Sequence, residues 1–271
     1  QKVLSDIKKG GDRAVRKYTK KFDGASFKKI KVSDREIKKA SEKVEKHLKE
    51  AIGTAIKNIS KFHAVQKEQS VFVETMPGVR CWRKSVPIET AGIYIPGGTA
   101  PLFSTVLMLA IPAKIAGCKK IILCTPPSAE GNIHPAILYA ANLVGVTEVY
   151  ACGGAQAIGA MAYGTETIPK VDKIFGPGNQ YVTAAKQLVQ MEGVAIDMPA
   201  GPSEVCVLAD ETGIPSYIAS DLLSQAEHGP DSQVLFITTD KSILDATISE
   251  LDKQLGQLPR AAIASKALEN R

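Results

Sequence analysis

The sequence predicts an α/β protein, a parallel sheet set between helices and preceded by a helical amino-terminal segment. Three observations carry that expectation. Beyond residue 85, short apolar runs alternate with helix-length segments. Those runs are continuous and rich in Ile and Val, as strands covered on both faces are. Glycine or proline closes most of them, which is the chemistry of strand-to-helix turns.

The first 70 residues read as helical. VLSDIKKGGDRAVRKYTKKFDG suits one or two short helices broken at Gly10 and Gly11. From Ser33, SDREIKKASEKVEKHLKEAIGTAIKNISKFH places Ile37, Ala40, Val44, Leu48, Ala51, Ile52, Ala55, Ile56 and Ile59 every three or four positions. That spacing predicts one long amphipathic helix. Ser33 followed by Glu36 has the capping-box spacing that opens such a helix. His47 and His63 on this helix, and His134 at the head of a later one, are expected to be structural or solvent-facing.

Residues 1 to 70 hold 20 Lys and Arg against 9 Asp and Glu, whereas the whole chain carries a net charge of +6. A basic block can attract nucleic acid. Here Glu36, Glu42, Glu45 and Glu50 interrupt the lysines at helical spacing, so a solvated, ion-paired helix face is expected and nucleic acid is not. No uncharged apolar run approaches the roughly 18 residues that would suggest a membrane span. The five cysteines, Cys81, Cys118, Cys124, Cys152 and Cys206, form no Cys-x-x-Cys pair, and most sit in apolar or glycine-rich surroundings. Reduced, buried thiols and a cytoplasmic setting follow as expectations. The chain opens without Met or a secretory signal and stops at KALENR with no closing element, so processing or ordering boundaries are expected at the termini.

The strand-like runs are AGIYIP, KIILCTPP, EVYACGG, KIFGPG and GVAIDMP; the helices between them are PLFSTVLMLAIPAKIAG, HPAILYAANLVG, AQAIGAMAYG and NQYVTAAKQLVQ. Ligands of such sheets bind at the carboxyl ends of the strands. PGGTAP, TPP, CGGAQ and GPGN stand there and predict a crevice. Gly97 and Gly98 let backbone approach a ligand, and Pro101 favours a helix start whose free N–H groups attract an anion; a plain tight turn explains the same residues. No G-x-G-x-x-G joins strand to helix, so a dinucleotide would bind in another manner. Gln156 and Asn179 stand at helix entrances, where an amide can hold a ribose or nicotinamide or can cap its own helix. Cys152 has no histidine near it in sequence and reads as a buried thiol rather than a nucleophile.

A second series, SEVCVLAD, IPSYIASDLLSQAEHG, SQVLFITTD and a helix from about 242 to 255, supplies only two strands. Two are too few for a free sheet, so they are expected to pair with residues 71 to 89 or with residues past Arg271. In DLLSQAEHGPDSQ, Gln225 and His228 share one helix face. Imidazole is a common zinc ligand, but two residues do not define a tetrahedral site, and a capping or packing role suits a helix-end histidine equally. Ser203 and Ser104 can hold a polar group but lack a neighbouring base.

Taken together, AGIYIPGGTAPLFSTVLMLAIPAKIAGC, CGGAQAIGAMAYGTETIPKVDKIFGPGNQYVTAAK, DMPAGPSEV and SQAEHGPDSQ resemble the histidinol dehydrogenase family over essentially the whole chain. The resemblance implies a zinc- and NAD-dependent enzyme that oxidises L-histidinol through the aldehyde to L-histidine. It also implies a homodimer with two related, incomplete Rossmann-like α/β domains. The expected organisation is residues 1–94 as helical segment and first part of one domain, 95–202 as the NAD-proximal domain, and 203–271 continuing the first. Matching positions would place NAD near Tyr94, Pro96, Gln156 and Asn179. They would place substrate near Ser104, Ser203, Gln225 and His228, with Gln225 and His228 also as zinc ligands. The family's Glu-His acid-base pair and its other two zinc ligands, an Asp and a His, match nothing before Arg271, so this chain is expected to be truncated and to lack catalytic residues. A non-catalytic nucleotide-binding or assembly module is the alternative.

Overall fold

The computed structural model describes residues 1–26, 29–97, 101–199, 204–230 and 232–269. It divides into two units, Gln1–Pro199 and Ala200–Arg271.

The first unit opens with α1, Lys2–Asp23, which leaves helical geometry at Gly11 (φ 49°, ψ −136°). A side chain there would lie 2.3 Å from the Glu166 carboxylate, which accepts the Asp12 N–H at 2.7 Å. Asp6 accepts the Tyr18 hydroxyl at 2.6 Å, so the two halves of α1 run side by side. The expected break at the glycine pair is therefore a reversal.

The long helix expected from Ser33 is interrupted. It consists of α2, Asp34–Ala40, a 3-10 turn at Ser41–Lys43, and α3, Lys46–Ala64. The chain goes extended at Val44 (φ −96°, ψ 127°), although the apolar spacing continues through it. Two packing partners explain the difference. Ala40 and Ile52 are both buried in one core, yet α2 and α3 lie against different helices of the sheet layer, and one straight axis cannot serve both. The capping box forms: Ser33 Oγ accepts the Glu36 N–H at 3.3 Å and the Glu36 carboxylate accepts the Ser33 N–H at 2.8 Å. The expected Glu–Lys pairing along this helix does not form among the described residues. Glu36 is used by the cap, Glu45 faces His47, and Lys31 reaches Glu148 instead.

Then come β1, Phe72–Met76, and β2, Val79–Trp82, an exposed antiparallel hairpin. Gly78, at φ 82°, turns it, and Glu74 accepts the Gly78 N–H at 2.9 Å. These residues thus pair with each other, not with the later two-strand series. Closing a Pro77–Gly78 turn costs far less chain entropy than a distant pairing.

The sheet is built from β3, Thr90–Tyr94; β4, Lys120–Thr125; β5, Glu148–Ala151; β6, Lys173–Phe175; and β7, Ala195–Ile196. Between successive strands run α4, Phe103–Ala116; α5, Pro135–Val144; α6, Gly154–Tyr163; and α7, Gln180–Met191. All pairings are parallel, in the order β5-β4-β3-β6-β7. This is the doubly wound arrangement, with the direction of winding reversing between β3 and β6. Alternate residues of β4 serve opposite cores. Ile121 and Leu123 pack with α4 and α5 residues, while Ile122 and Cys124 pack with α1, α6 and α7 residues.

The second unit pairs β8, Glu204–Ala209, in parallel with β9, Gln233–Thr238. Around them are α8, Pro215–Ala226; α9, Lys241–Leu255; and α10, Ala261–Glu269. The sequence had no closing element here, yet Ala264, Ala267 and Leu268 of α10 share a core with Ile218 and Leu222 of α8. Small alanines at one face leave little periodic signal. Of the cysteines, Cys124 and Cys152 are buried and Cys118 is half-buried, whereas Cys81 and Cys206 are exposed. Cys206 lies on the more exposed face of β8, and Cys81 on a hairpin exposed throughout, which a strand's apolar content does not reveal. No helix among the described residues is long and apolar enough to cross a membrane.

Candidate functional site

The carboxyl ends of β3 and β4 and the amino ends of α5, α6 and α7 surround a cavity of about 1220 Å³ in the first unit. Tyr94, Pro96, Gln156 and Asn179 all line it. The winding reversal explains why it opens there, since the helices after β3 and β6 leave on opposite faces. Close backbone packing fixes its floor. A side chain on Gly153 would lie 2.4 Å from Cβ of Pro126, and one on Gly97 2.5 Å from its Cγ. At β6, Gly176 (φ 126°) leaves no room for a side chain against the Tyr94 carbonyl. Asp197 accepts the Gly176 N–H at 2.8 Å and pairs with buried Lys186, whose ammonium donates to the Gly176 carbonyl at 2.9 Å.

Tyr94 ends β3 almost fully buried, its hydroxyl accepting the Gly154 N–H at 3.0 Å. Burial, chiefly, pushes its phenol up to about 12, partly opposed by that hydrogen bond. Asn179 does cap α7, its side-chain oxygen accepting the N–H groups of Tyr181 and Val182 at 3.1 Å each. It lines the cavity at the same time, so the two alternatives for it are compatible. Gln156 is not a cap; Gly153 holds that position of α6. Gln156 is completely buried and donates from Nε2 to Asp23 at 3.2 Å. Its Oε1 is buried with no donor among the described residues, an unusual state for an interior carbonyl.

One side chain of the site was not singled out in the sequence, and a second was given only a structural or solvent-facing role. Asp23 ends α1, and burial raises its carboxyl to about 6 against the lowering bond from Gln156. In sequence it is merely the Asp of an Asp-Gly helix stop. His134, expected to be structural or solvent-facing, caps α5 by accepting the Ala136 N–H at Nδ1, 3.2 Å, and lines the cavity. A polar residue before the Pro135 helix start was its only signal.

Ser104 stands exposed on the first turn of α4 and is not among the cavity-lining residues. Ser203 lies outside the described residues. Gln225 and His228 belong to the second unit, at the end of α8 and in the turn after it. The His228 N–H bonds the Gln225 carbonyl at 3.1 Å, and Gln225 Nε2 lies 3.5 Å from Ser232 Oγ. Among the described residues no three His, Cys, Asp or Glu side chains gather as a metal site. Two donors fall short of the roughly four that a zinc shell requires, so no chemical step can be built on zinc from these residues. Cys152 is fully buried, and burial first, then the neighbouring Cys124 and Asp23, push its thiol far above the usual range. A nucleophilic cysteine needs the opposite.

Three helix amino ends face the cavity, a setting that favours anionic groups, and Pro96, Pro126 and Pro127 give it apolar walls.

The sequence model of the histidinol dehydrogenase family matches residues 1–271. Histidinol dehydrogenase of Bacteroides thetaiotaomicron is 58% identical over 268 residues, covering 99% of this chain and 63% of that protein. That of Escherichia coli K12 is 55% identical, over 98% of this chain and 61% of the relative. The crystal structure of histidinol dehydrogenase from Elizabethkingia anophelis matches with a TM-score of 0.95 and 62% identity, over 98% of this chain and 62% of that one. The chain thus spans about three-fifths of the length of these relatives. Methylmalonate-semialdehyde dehydrogenase from Oceanimonas doudoroffii, at 14% identity and a TM-score of 0.53, over 94% of this chain and 50% of that one, shares the fold alone.

Proposed function

The chain belongs to the histidinol dehydrogenase family, and from that premise we propose that it is the dinucleotide-holding part of an NAD-linked, zinc-dependent oxidoreductase. The reaction is oxidation of L-histidinol through L-histidinaldehyde to L-histidine, in histidine biosynthesis. The convergence of Tyr94, Pro96, Gln156 and Asn179 on one cavity at the winding reversal is the observation that carries the proposal. NAD bound there supplies the hydride acceptor. The residues of the chain bind and orient it. The Gln156 amide holds the Asp23 carboxylate at the cavity wall, the Tyr94 hydroxyl holds the Gly154 turn in place, and Asn179 keeps the α7 amino end aimed at the cavity. Pro96 and its neighbours exclude water from one wall.

Ser104, Ser203, Gln225 and His228 are the proposed substrate contacts, with Gln225 and His228 as two of the zinc ligands. Acid-base groups and the remaining ligands are proposed to match family residues past Arg271. The domain organisation is proposed as 1–94 with 203–271 against 95–202, except that β3, Thr90–Tyr94, is built into the sheet of the latter. A homodimer in the cytoplasm, with neither nucleic acid nor membrane as partner, completes the reading. The alternative is a non-catalytic nucleotide-binding or assembly module derived from the same family, which the cavity of the first unit alone would serve.

NAD titration of the chain followed by calorimetry tests the cavity. Gln156→Ala should weaken NAD binding by about 10-fold or more, since a buried polar contact is worth roughly 1–3 kcal/mol; an unchanged affinity would remove the assignment. In a full-length family member carrying this sequence, His228→Asn should lower bound zinc and activity together. Zinc retained at one per subunit in that variant would exclude His228 as a ligand.

A further inference from the structure

We propose that Asp23 is the residue by which this cavity chooses its dinucleotide, accepting a ribose hydroxyl of NAD and turning away a dinucleotide with an additional ribose phosphate. The inference rests on the reading of the cavity as the NAD site and goes beyond it by naming the group that discriminates.

Three observations support it. Asp23 lines the cavity and is fixed there by the Gln156 amide at 3.2 Å. One carboxylate oxygen takes that bond, and no donor for the other is found among the described residues. An ionised carboxylate only accepts hydrogen bonds, so its spare oxygen calls for a hydroxyl or amide donor. A ribose diol offers a donor at each of its two carbons, whereas a phosphate on one of them removes that donor and adds negative charge.

The charge balance points the same way. Among the described residues lining the cavity, Asp23 is the one acidic side chain, and there is neither Lys nor Arg. Helix amino ends are suited to the shared pyrophosphate, but a third phosphate would have no cation to meet it and a carboxylate to oppose it. Repulsion of this kind is a device of specificity as much as attraction is. The raised carboxyl of Asp23 agrees with a group held without a cationic partner.

The test compares binding of NAD and NADP to the chain by calorimetry near pH 7.5, for the unaltered sequence, Asp23→Asn, Asp23→Ser and Ala155→Trp. Ala155 lines the cavity, and a tryptophan there fills it. Unaltered chain should prefer NAD by about 100-fold or more, the size expected of a like-charge clash in a partly desolvated site. Asp23→Asn and Asp23→Ser should narrow the preference to about 10-fold or less, mainly by admitting NADP. Near-UV circular dichroism of the buried tyrosines verifies that each variant is folded. If both Asp23 variants keep the full preference while Ala155→Trp abolishes NAD binding, the cavity stands as the NAD site and Asp23 is not its selector. If a folded Ala155→Trp binds NAD as well as the unaltered chain does, the cavity reading itself falls.

Discussion

Replacing Asp23 by Asn should stabilise the amino-terminal unit at neutral pH, because the native carboxyl is held where its charge is costly. Burial lifts it from an ordinary 3.8 to about 6. Over that interval the folded chain keeps a proton that the unfolded chain has released, so stability falls as pH rises from about 4 to about 6 and stays lowered above. At about 1.4 kcal/mol per pH unit the interval is worth about 3 kcal/mol, which solvent reaching this partly exposed group reduces to about 1–2 kcal/mol. The other titratable groups near it, Tyr94 and Cys152, are themselves pushed upward and stay neutral throughout. Asn keeps an acceptor for Gln156 Nε2 and brings an N–H toward the unpaired Oε1. Urea unfolding without ligand, followed by near-UV circular dichroism of buried Tyr94 and Tyr150, reads this unit. The variant should be more stable at pH 7.5, and its advantage should vanish near pH 4. Carboxyls held low by their partners, such as Asp6 and Glu36, titrate in both proteins and cancel. Equal stability at pH 7.5, or an advantage unchanged at pH 4, would refute the reasoning.

Asp12 is buried and accepts the Thr165 hydroxyl at 2.7 Å, the Thr167 N–H at 3.2 Å and the Thr167 hydroxyl. Asp12→Ala strands these donors and should cost about 2–4 kcal/mol, whereas Arg16→Ala, removing its half-exposed partner at 3.4 Å, should cost less than about 1 kcal/mol. Chemical denaturation of the two variants checks the contrast; similar losses would contradict it. Thiol labelling of native chain should modify Cys81 and Cys206 quickly and spare Cys124 and Cys152 until unfolding, with peptide mass spectrometry as the readout. Fast labelling of Cys152 would reopen a nucleophilic role for it.

Much of the first unit was legible in the sequence because a parallel sheet writes itself in continuous apolar runs. AGIYIP, KIILC and EVYA each became a strand, and Gly97 and Gly154, after the first and the third, line the cavity. The same one-dimensional signal misled at Val44, where the apolar spacing of one helix is shared by two axes, and at 71 to 89, where a local turn competes with distant pairing. Gln156 and Asn179 were found from their places at helix entrances, Tyr94 and Pro96 through the resemblance, and each proved to line one cavity. Asp23 was not found, since nothing in YTKKFDG distinguishes a helix stop from a cavity wall. That distinction depends on a contact 133 residues away, with Gln156.

How Asp23 reaches the cavity shows what the amino-terminal segment contributes. Val3 and Asp23 both line the cavity, although they stand at opposite ends of α1. A straight helix of that length would hold them roughly 30 Å apart, whereas both border the same cavity. The reversal at Gly11 removes the conflict. Its positive φ and the 2.3 Å approach of the Glu166 carboxylate exclude any side chain there, while Glu166 takes the next N–H and Asp12 ties down Thr165 and Thr167. The loop after α6 therefore clamps the turn of α1, and both its ends swing back onto the amino end of α6. A segment whose charge and periodicity suggested only a solvated helical surface thereby supplies the acidic side chain of the site.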